Sequence, residues 1–424
     1  MKIAVVGLGH IGLPLAVQYA GRGHHVIGCD TAGWIVEALA AGRSPHDDEP
    51  ALVERVPELV RSGQLRATTD DAAGVREAEV VVVIVPVAVD ERREIDFKAI
   101  DAATREIGRG LRPGTLVIYE TTLPVGTTRD RFGPMLEAAS GLTLDRDLFL
   151  AFSPERVLVG RVLLDLHRYP KIVGGTSGES TRRAVAFYRS VLEPDTEVRA
   201  VANAETAEMT KLAETTYRDV NIALANEYAR YAAKRGIDVS EVIDAANSQP
   251  FSHIHTPGVG VGGHCIPVYP HFLFNGEPDL RLPPLAREIN EQMATFAVSE
   301  LRDRLGSLAG VAVLVLGIAY RADVREDSFS SAFRLRDELA TAGAVVHGHD
   351  PYFDAEHLAA AGFAPYDLAA PSPVRAAIIQ APHAMYRSLD FGTIPGLELL
   401  IDGRNAIDRA GVEAAGVTYL GIGR

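Results

Sequence analysis

Short, unbroken apolar runs recur through the first half of the chain, with turn residues between them. Residues 2–7 (Lys-Ile-Ala-Val-Val-Gly) predict a buried strand, 11–21 a helix and 25–30 (His-Val-Ile-Gly-Cys-Asp) a second strand, together one βαβ unit. Further apolar runs at 79–85, 115–119 and 148–152 are separated by segments long enough to hold helices. That alternation predicts a doubly wound parallel sheet over residues 1–200.

The period then changes. Between 203 and 236 Ala, Glu, Leu, Met and Lys dominate, proline is absent, and Met209, Leu212 and Ala213 fall at helical spacing, which predicts a long helix or a helix pair. Four Gly and three Pro within residues 251–270 predict a loop in which backbone can approach a ligand closely. A helix around 284–305 follows. The strand–helix–strand pattern then restarts at 311–317, near 330–342 and at 344–350. The expected fold class is α/β: two Rossmann-like doubly wound parallel-sheet domains, 1–200 and 306–424, joined by a long central helix and a small helical domain at 201–305.

Composition narrows the function classes. A length of 424 residues exceeds what one core usually organises, and 47% hydrophobic with 23% charged residues is ordinary for a packed protein. The net charge of −14 argues against nucleic-acid or anionic-membrane partners, which select clustered Lys and Arg. No apolar stretch approaches the roughly 20 residues of a membrane span, and the chain opens directly into a strand, so a cytoplasmic protein is expected. Two cysteines, Cys29 and Cys265, make no disulfide framework; Cys29 lies within a predicted strand and reads as core.

Gly7-Leu8-Gly9-His10-Ile11-Gly12 sits between a strand and a helix, where glycines permit a tight turn and a pyrophosphate can lie on the helix N-terminus. Asp30 closes the second strand, where a carboxylate accepts from ribose hydroxyls and repels a 2′-phosphate; Thr31, Ala32 and Gly33 bring no cation, so NAD is expected over NADP. Glu120-Thr121-Thr122 and Ser153-Pro154-Glu155-Arg156-Val157 follow strands and would stand at the ligand-binding end of the sheet, although an ordinary capped turn and a solvated ion pair explain them equally well. Gly258-Val259-Gly260-Val261-Gly262-Gly263-His264-Cys265-Ile266-Pro267 presents a thiol beside a glycine loop, whose N–H groups favour a thiolate and an oxyanion. His264 reads as structural, and no cluster with metal-ligand spacing accompanies the cysteine.

Taken together, these blocks resemble the UDP-glucose/GDP-mannose dehydrogenase family over essentially the whole chain. Glu208-Met209-Thr210-Lys211-Leu212, Thr216-Tyr217-Arg218, Ala286-Arg287-Glu288-Ile289-Asn290 and Asp402-Gly403-Arg404-Asn405 add to the match. The resemblance implies NAD on the first domain, held by Gly7, Gly9, His10, Ile11, Gly12, Asp30, Val85, Pro86 and Thr122, and a UDP-sugar on the last. It further implies a homodimer through the central helix and a thiol mechanism, in which Cys265 captures the C6 aldehyde as a thiohemiacetal and then carries a thioester that water releases as the acid. By the same likeness Lys211 stabilises the oxyanion, Thr122 and Glu155 position and activate water, and Arg156, Val157, Arg218, Gly258, Gly260, Gly262, Tyr320, Arg321 and Arg404 contact the nucleotide sugar.

Three positions depart from the family pattern. Against that pattern Thr215 replaces an amide, Tyr269 an aspartate and Ser328 an NAD-contacting arginine, for which Arg325 is the expected substitute. Ser-Pro-Glu-Arg-Val followed by Gly160, with Gly-Gly-His-Cys-Ile-Pro, is closer to members oxidising UDP-N-acetylhexosamines than to UDP-glucose enzymes. UDP-glucose, a two-electron reaction stopping at the aldehyde, and a non-catalytic sugar-nucleotide binder stay open as alternatives.

Overall fold

The computed structural model describes residues 1–46, 49–90, 92–157, 162–166 and 168–424. The chain forms two compact units, one of Met1–Glu214 with His271–Asn275, the other of Thr215–Pro270 with Gly276–Arg424.

The first unit contains β1 (Lys2–Val6), β2 (His25–Cys29), β3 (Leu65–Thr68), β4 (Val80–Val83), β5 (Ala88–Val89), β6 (Ile95–Asp96), β7 (Leu116–Tyr119), β8 (Phe149–Phe152), β9 (Lys171–Gly175) and β10 (Val198–Ala200). Eight of these make one sheet in the order β10-β9-β8-β7-β4-β1-β2-β3, while β5 and β6 pair as a separate antiparallel ribbon. Runs such as Val80–Val83, buried at every position, are what a sheet covered on both faces requires. Its core gathers Ile3, Leu15, Tyr19, Val82, Ile118 and Tyr188. One pairing departs from the all-parallel expectation: β8 and β9 run antiparallel. A parallel return needs a long crossover, and the described part of this connection holds only the four-residue helix Val162–Asp165.

Residues 203–236 form a single helix, Ala204–Ala233, whose 30 residues contain neither Gly nor Pro and which runs from the first unit into the second. In the second unit it packs with the helix Leu282–Leu305 through a buried polar network. Arg287 Nε donates to Asp219 (2.7 Å), Asn290 Nδ2 donates to the same carboxylate (2.7 Å), and Asn226 Nδ2 donates to Asn290 (2.8 Å).

The second unit's sheet comprises β11 (Ala312–Leu316), β12 (Val345–His349), β13 (Ala364–Pro365), β14 (Ala376–Ile379), β15 (Leu399–Asp402) and β16 (Thr418–Gly421), all parallel in the order β13-β12-β11-β14-β15-β16. It repeats a detail of the first. Gly7 N donates to Cys29 O (2.8 Å) and Leu8 N to Asp30 Oδ2 (2.7 Å); Gly317 N donates to His349 O (2.9 Å) and Ile318 N to Asp350 Oδ2 (2.7 Å). In the second copy His383 Nε2 also lies 2.9 Å from Asp350 Oδ2. Among the described residues no helix is long and apolar enough to cross a membrane.

Candidate active site

The expected site residues divide between the two units. In the first, Gly7 has φ +94°, and a Cβ on Gly12 would collide with the Gly7 carbonyl oxygen, so neither position tolerates a side chain. A Cβ on Gly9 would meet nothing within 4 Å, which leaves the backbone open to a ligand. The following helix, Gly12–Gly21, carries no side-chain cap at Ile11; Leu13 N donates to Gly9 O (3.1 Å) and Pro14 has no N–H, so the glycine turn before it is the part that can offer N–H groups to an anion. Asp30 accepts Leu8 N on Oδ2 and Ala32 N (2.8 Å) on Oδ1, and each oxygen keeps a lone pair for a ribose hydroxyl. This turn fits a dinucleotide. The His10 ring lies tilted at 35° to that of His46 (4.4 Å between centroids), whose Nε2 lies 2.9 Å from Leu8 O, and Trp34 meets the same ring edge-on at 6.2 Å. Val85 and Pro86 follow β4, where Thr121 Oγ1 donates to Val85 O (2.8 Å).

At the carboxyl ends of β7 and β8 the Glu120 and Ser153 turns lie side by side, with Glu155 N donating to Glu120 O (3.2 Å). Glu155 Oε1 accepts its neighbour's N–H, from Arg156 (2.7 Å), and Oε2 is 2.7 Å from the ammonium of Lys171. That lysine also reaches Glu120 Oε2 at 2.7 Å, and Glu120 Oε1 accepts from Tyr188 (2.6 Å) and Tyr19 (3.2 Å). Thr122 is buried on the same turn. Arg156 donates to Glu214 (2.8 Å) and Pro170 O (3.3 Å), tying its turn to the long helix, and Val157 packs on the core. Gly160 lies outside the described residues.

Lys211 is buried on the long helix. One turn earlier Glu208 explains why the 126–128 segment is fixed: its carboxylate accepts from Gly126 N (2.6 Å), Thr128 N (2.8 Å) and Thr128 Oγ1 (2.6 Å).

In the second unit the glycine loop lies against its sheet. Gly258 N donates to Asn226 Oδ1 (2.9 Å), linking the loop to the Asp219–Arg287 network. A Cβ on Gly258 would sit 2.6 Å from Arg404 Nη1, one on Gly260 (φ +138°) 2.8 Å from Ser331 Cβ, and one on Gly262 2.9 Å from Tyr320 Cβ. Glycine is therefore required by close packing. Arg404 is held by acceptors without charge: Nε donates to Gln380 O (2.7 Å) and Nη1 to Gly260 O (3.0 Å), and burial lowers its guanidinium to about 10. Arg321 Nε donates to the Tyr320 hydroxyl (2.8 Å). Arg218 and Arg325 are exposed.

Cys265 is partly exposed at the end of this loop, and its carbonyl accepts Tyr269 N (2.9 Å), which places Tyr269 one helical turn further along. His264 Nε2 is 3.8 Å from Glu326, and that contact, with the hydrogen bond from Ser328 N, holds the Glu326 carboxyl down to about 2. Cys29 is fully buried, and burial pushes its thiol up to about 12, so it is no nucleophile. Among the described residues no group of three His, Cys, Asp or Glu could hold a metal ion.

Sequence reasoning missed Lys171, the acceptor role of Glu120, Glu208 and the Asp219 network. Lys171 left one signal, a lysine opening an otherwise apolar Lys-Ile-Val-Gly-Gly run, since a lysine in such a strand needs a buried partner.

Three family models cover successive parts of the chain: the NAD binding domain of the UDP-glucose/GDP-mannose dehydrogenase family at residues 1–192, its central domain at 205–292 and its UDP binding domain at 314–409. A UDP-N-acetyl-D-mannosamine dehydrogenase of Pyrococcus horikoshii is 35% identical over 434 aligned positions, which span 100% of this chain and 99% of that protein. The solved structure of the UDP-D-ManNAc dehydrogenase from Pyrococcus horikoshii matches with a TM-score of 0.90 at 34% identity, covering 100% and 99% of the two chains. An NDP-N-acetyl-D-galactosaminuronic acid dehydrogenase from Methanosarcina mazei Go1 matches at 0.87 and 32% identity, covering 100% and 95%. The chain therefore belongs to the UDP-glucose/GDP-mannose dehydrogenase family, and it is an NAD-dependent dehydrogenase of nucleotide sugars.

Proposed function

We propose that this enzyme oxidises the C6 hydroxymethyl of a UDP-N-acetylhexosamine, UDP-N-acetylmannosamine first among them, to the uronate. The end-to-end likeness to a UDP-N-acetyl-D-mannosamine dehydrogenase is the observation that carries the substrate. Arg404 supports the nucleotide part: a part-buried guanidinium bonded only to uncharged acceptors beside a glycine loop suits an anionic diphosphate. Tyr320, Arg321, Arg218 and the backbone at Gly258, Gly260 and Gly262 complete that side, and Arg156 and Val157 shape the sugar's. NAD fits the Gly7–Gly12 turn, with Asp30 on its ribose and His10, Ile11, Val85, Pro86 and Arg325 as further contacts, and when bound it supplies the hydride acceptor.

The chain's own residues do the rest. Cys265 adds to the C6 aldehyde as thiolate and, after the second oxidation, holds the sugar as a thioester. Lys211 offsets the charge on oxygen at each tetrahedral stage. Glu155, ionised and paired, takes the proton of the attacking water with Thr122 aligning it; the C–S bond then breaks, the acid departs and Cys265 is regenerated as the thiolate. Tyr269, a phenol where the family pattern has a carboxylate, shapes the pocket. A cytoplasmic homodimer built on the Ala204–Ala233 helix completes the proposal; Tyr217, Leu224, Tyr228 and Tyr231 leave an apolar stripe exposed on it.

The deciding measurement is NADH formed per sugar across a panel of UDP-sugars. Two per UDP-N-acetylmannosamine, with UDP-glucose a poor substrate, is expected. One per sugar with aldehyde released would replace the acid-forming reading.

A further inference from the structure

The end of the first sheet carries more charge than the reaction as described requires. Two carboxylates share one ammonium, with Lys171 Nζ at 2.7 Å from both Glu120 and Glu155, and side-chain exposures are 6%, 0% and 12%. One acid is enough to balance the charge of a buried lysine. A second adds a desolvation penalty that a purely stabilising role has no need of. The three groups also differ in setting. Glu120 is locked by two phenols, Tyr19 from the helix Gly12–Gly21 and Tyr188 from the helix Gly178–Val191, whereas Glu155 is the most exposed of the three and lies on the Ser153 turn beside the Glu120–Thr122 turn.

We propose that Lys171, anchored by Glu120 and its two tyrosines, is a positioning residue that keeps Glu155 ionised and fixed in orientation for its work on the thioester's water. This rests on Glu155 having that role. Each bond at the cluster has one job. Lys171 fills one oxygen of Glu155 and the Arg156 N–H another lone pair, which prevents rotation of the carboxylate. Burial pushes Glu120 up to about 7 against the pull of Lys171. At Glu155 burial acts in the same sense, but the ammonium and the Arg156 N–H outweigh it and hold the carboxyl below its usual range. A proton taken up by the cluster therefore settles on Glu120, and Glu155 stays a carboxylate.

The test follows single turnovers of UDP-N-acetylmannosamine with NAD, read as acid formed and as acylated Cys265 by intact-protein mass spectrometry, over a range of pH. In Lys171→Met two buried carboxylates are left without a cation. The acid limb of hydrolysis is expected to move up by about 1–3 pH units, and acyl-enzyme to accumulate at neutral pH. Lys171→Arg should restore the limb. The double variant Lys171→Met with Glu120→Gln, which has the cluster charge of the original, should lie between the two, and it carries the comparison if the single variant does not fold. A lower rate at every pH with an unmoved limb would make Lys171 a structural residue and overturn the proposal. Glu155→Gln run in parallel separates the two layers. If it hydrolyses the thioester normally, the role of Glu155 itself fails; if it stalls while the Lys171 variants keep the original limb, only the positioning role does.

Discussion

Replacing Cys265 by serine is expected to abolish acid formation while leaving nucleotide binding intact, because an alkoxide is a far poorer nucleophile and leaving group than a thiolate; product analysis beside UDP titration checks both halves. The neighbouring histidine has a different use. Glu326, with His264 3.8 Å away and Ser328 N donating to it, is held down to about 2 in the fold against an ordinary 4.5, so its contribution to stability is complete above 4.5 and drains away as pH falls toward 2. Glu326→Gln should therefore lower the melting temperature at neutral pH and flatten its fall on the acid side, with little effect near pH 2. The glycines of the two loops were readable as close-approach positions, but not what they approach. That Gly258 faces Arg404 and Gly262 faces Tyr320 depends on contacts across more than fifty residues of chain, which no local pattern carries. The same holds for Lys171, whose meaning lies in Glu120 and Glu155 rather than in its own strand.

The helices Ala204–Ala233 and Leu282–Leu305 are joined by groups that are almost wholly buried, with Arg287 at 3% and Asp219 at 0% exposure. Asp219→Ala leaves a guanidinium without its carboxylate and should cost about 3–5 kcal/mol in a urea titration. Adding Arg287→Met should recover much of that loss, since the penalty belongs to the orphaned charge. Because Asn226 passes this network on to Gly258 N, the single variant should also raise KM for the nucleotide sugar. At this scale the sequence was informative where periodicity was strong: Val80–Val83 and the long helix stand where Val repeats and helix formers predict them. Strands Lys171–Gly175, Val198–Ala200 and Ala364–Pro365 were not anticipated, being short or interrupted by Lys, Gly or Pro. Nor was the reversal between β8 and β9, because side-chain alternation does not encode a strand's direction.

Over the whole molecule the −14 charge sets what the exposed helix stripe can be for. Two like-charged copies associate only if apolar contact outweighs repulsion, and Tyr217, Leu224, Tyr228 and Tyr231 supply such a surface. Sedimentation equilibrium should report two chains, and Tyr228→Lys with Tyr231→Lys should report one, while far-UV dichroism stays unchanged. Both α/β units were legible from their strand order in sequence, and the repeat of the Gly7–Asp30 arrangement at Gly317–Asp350 shows one backbone plan used twice. The two copies are not optically equivalent. The chain has a single tryptophan, Trp34, more than half exposed, four residues after Asp30 and edge-on to His46. Its emission is thus a built-in gauge of the first copy alone: a change in indole fluorescence marks events at the Gly7–Gly12 turn, and ligands that settle only on the second copy leave it dark to the spectrometer.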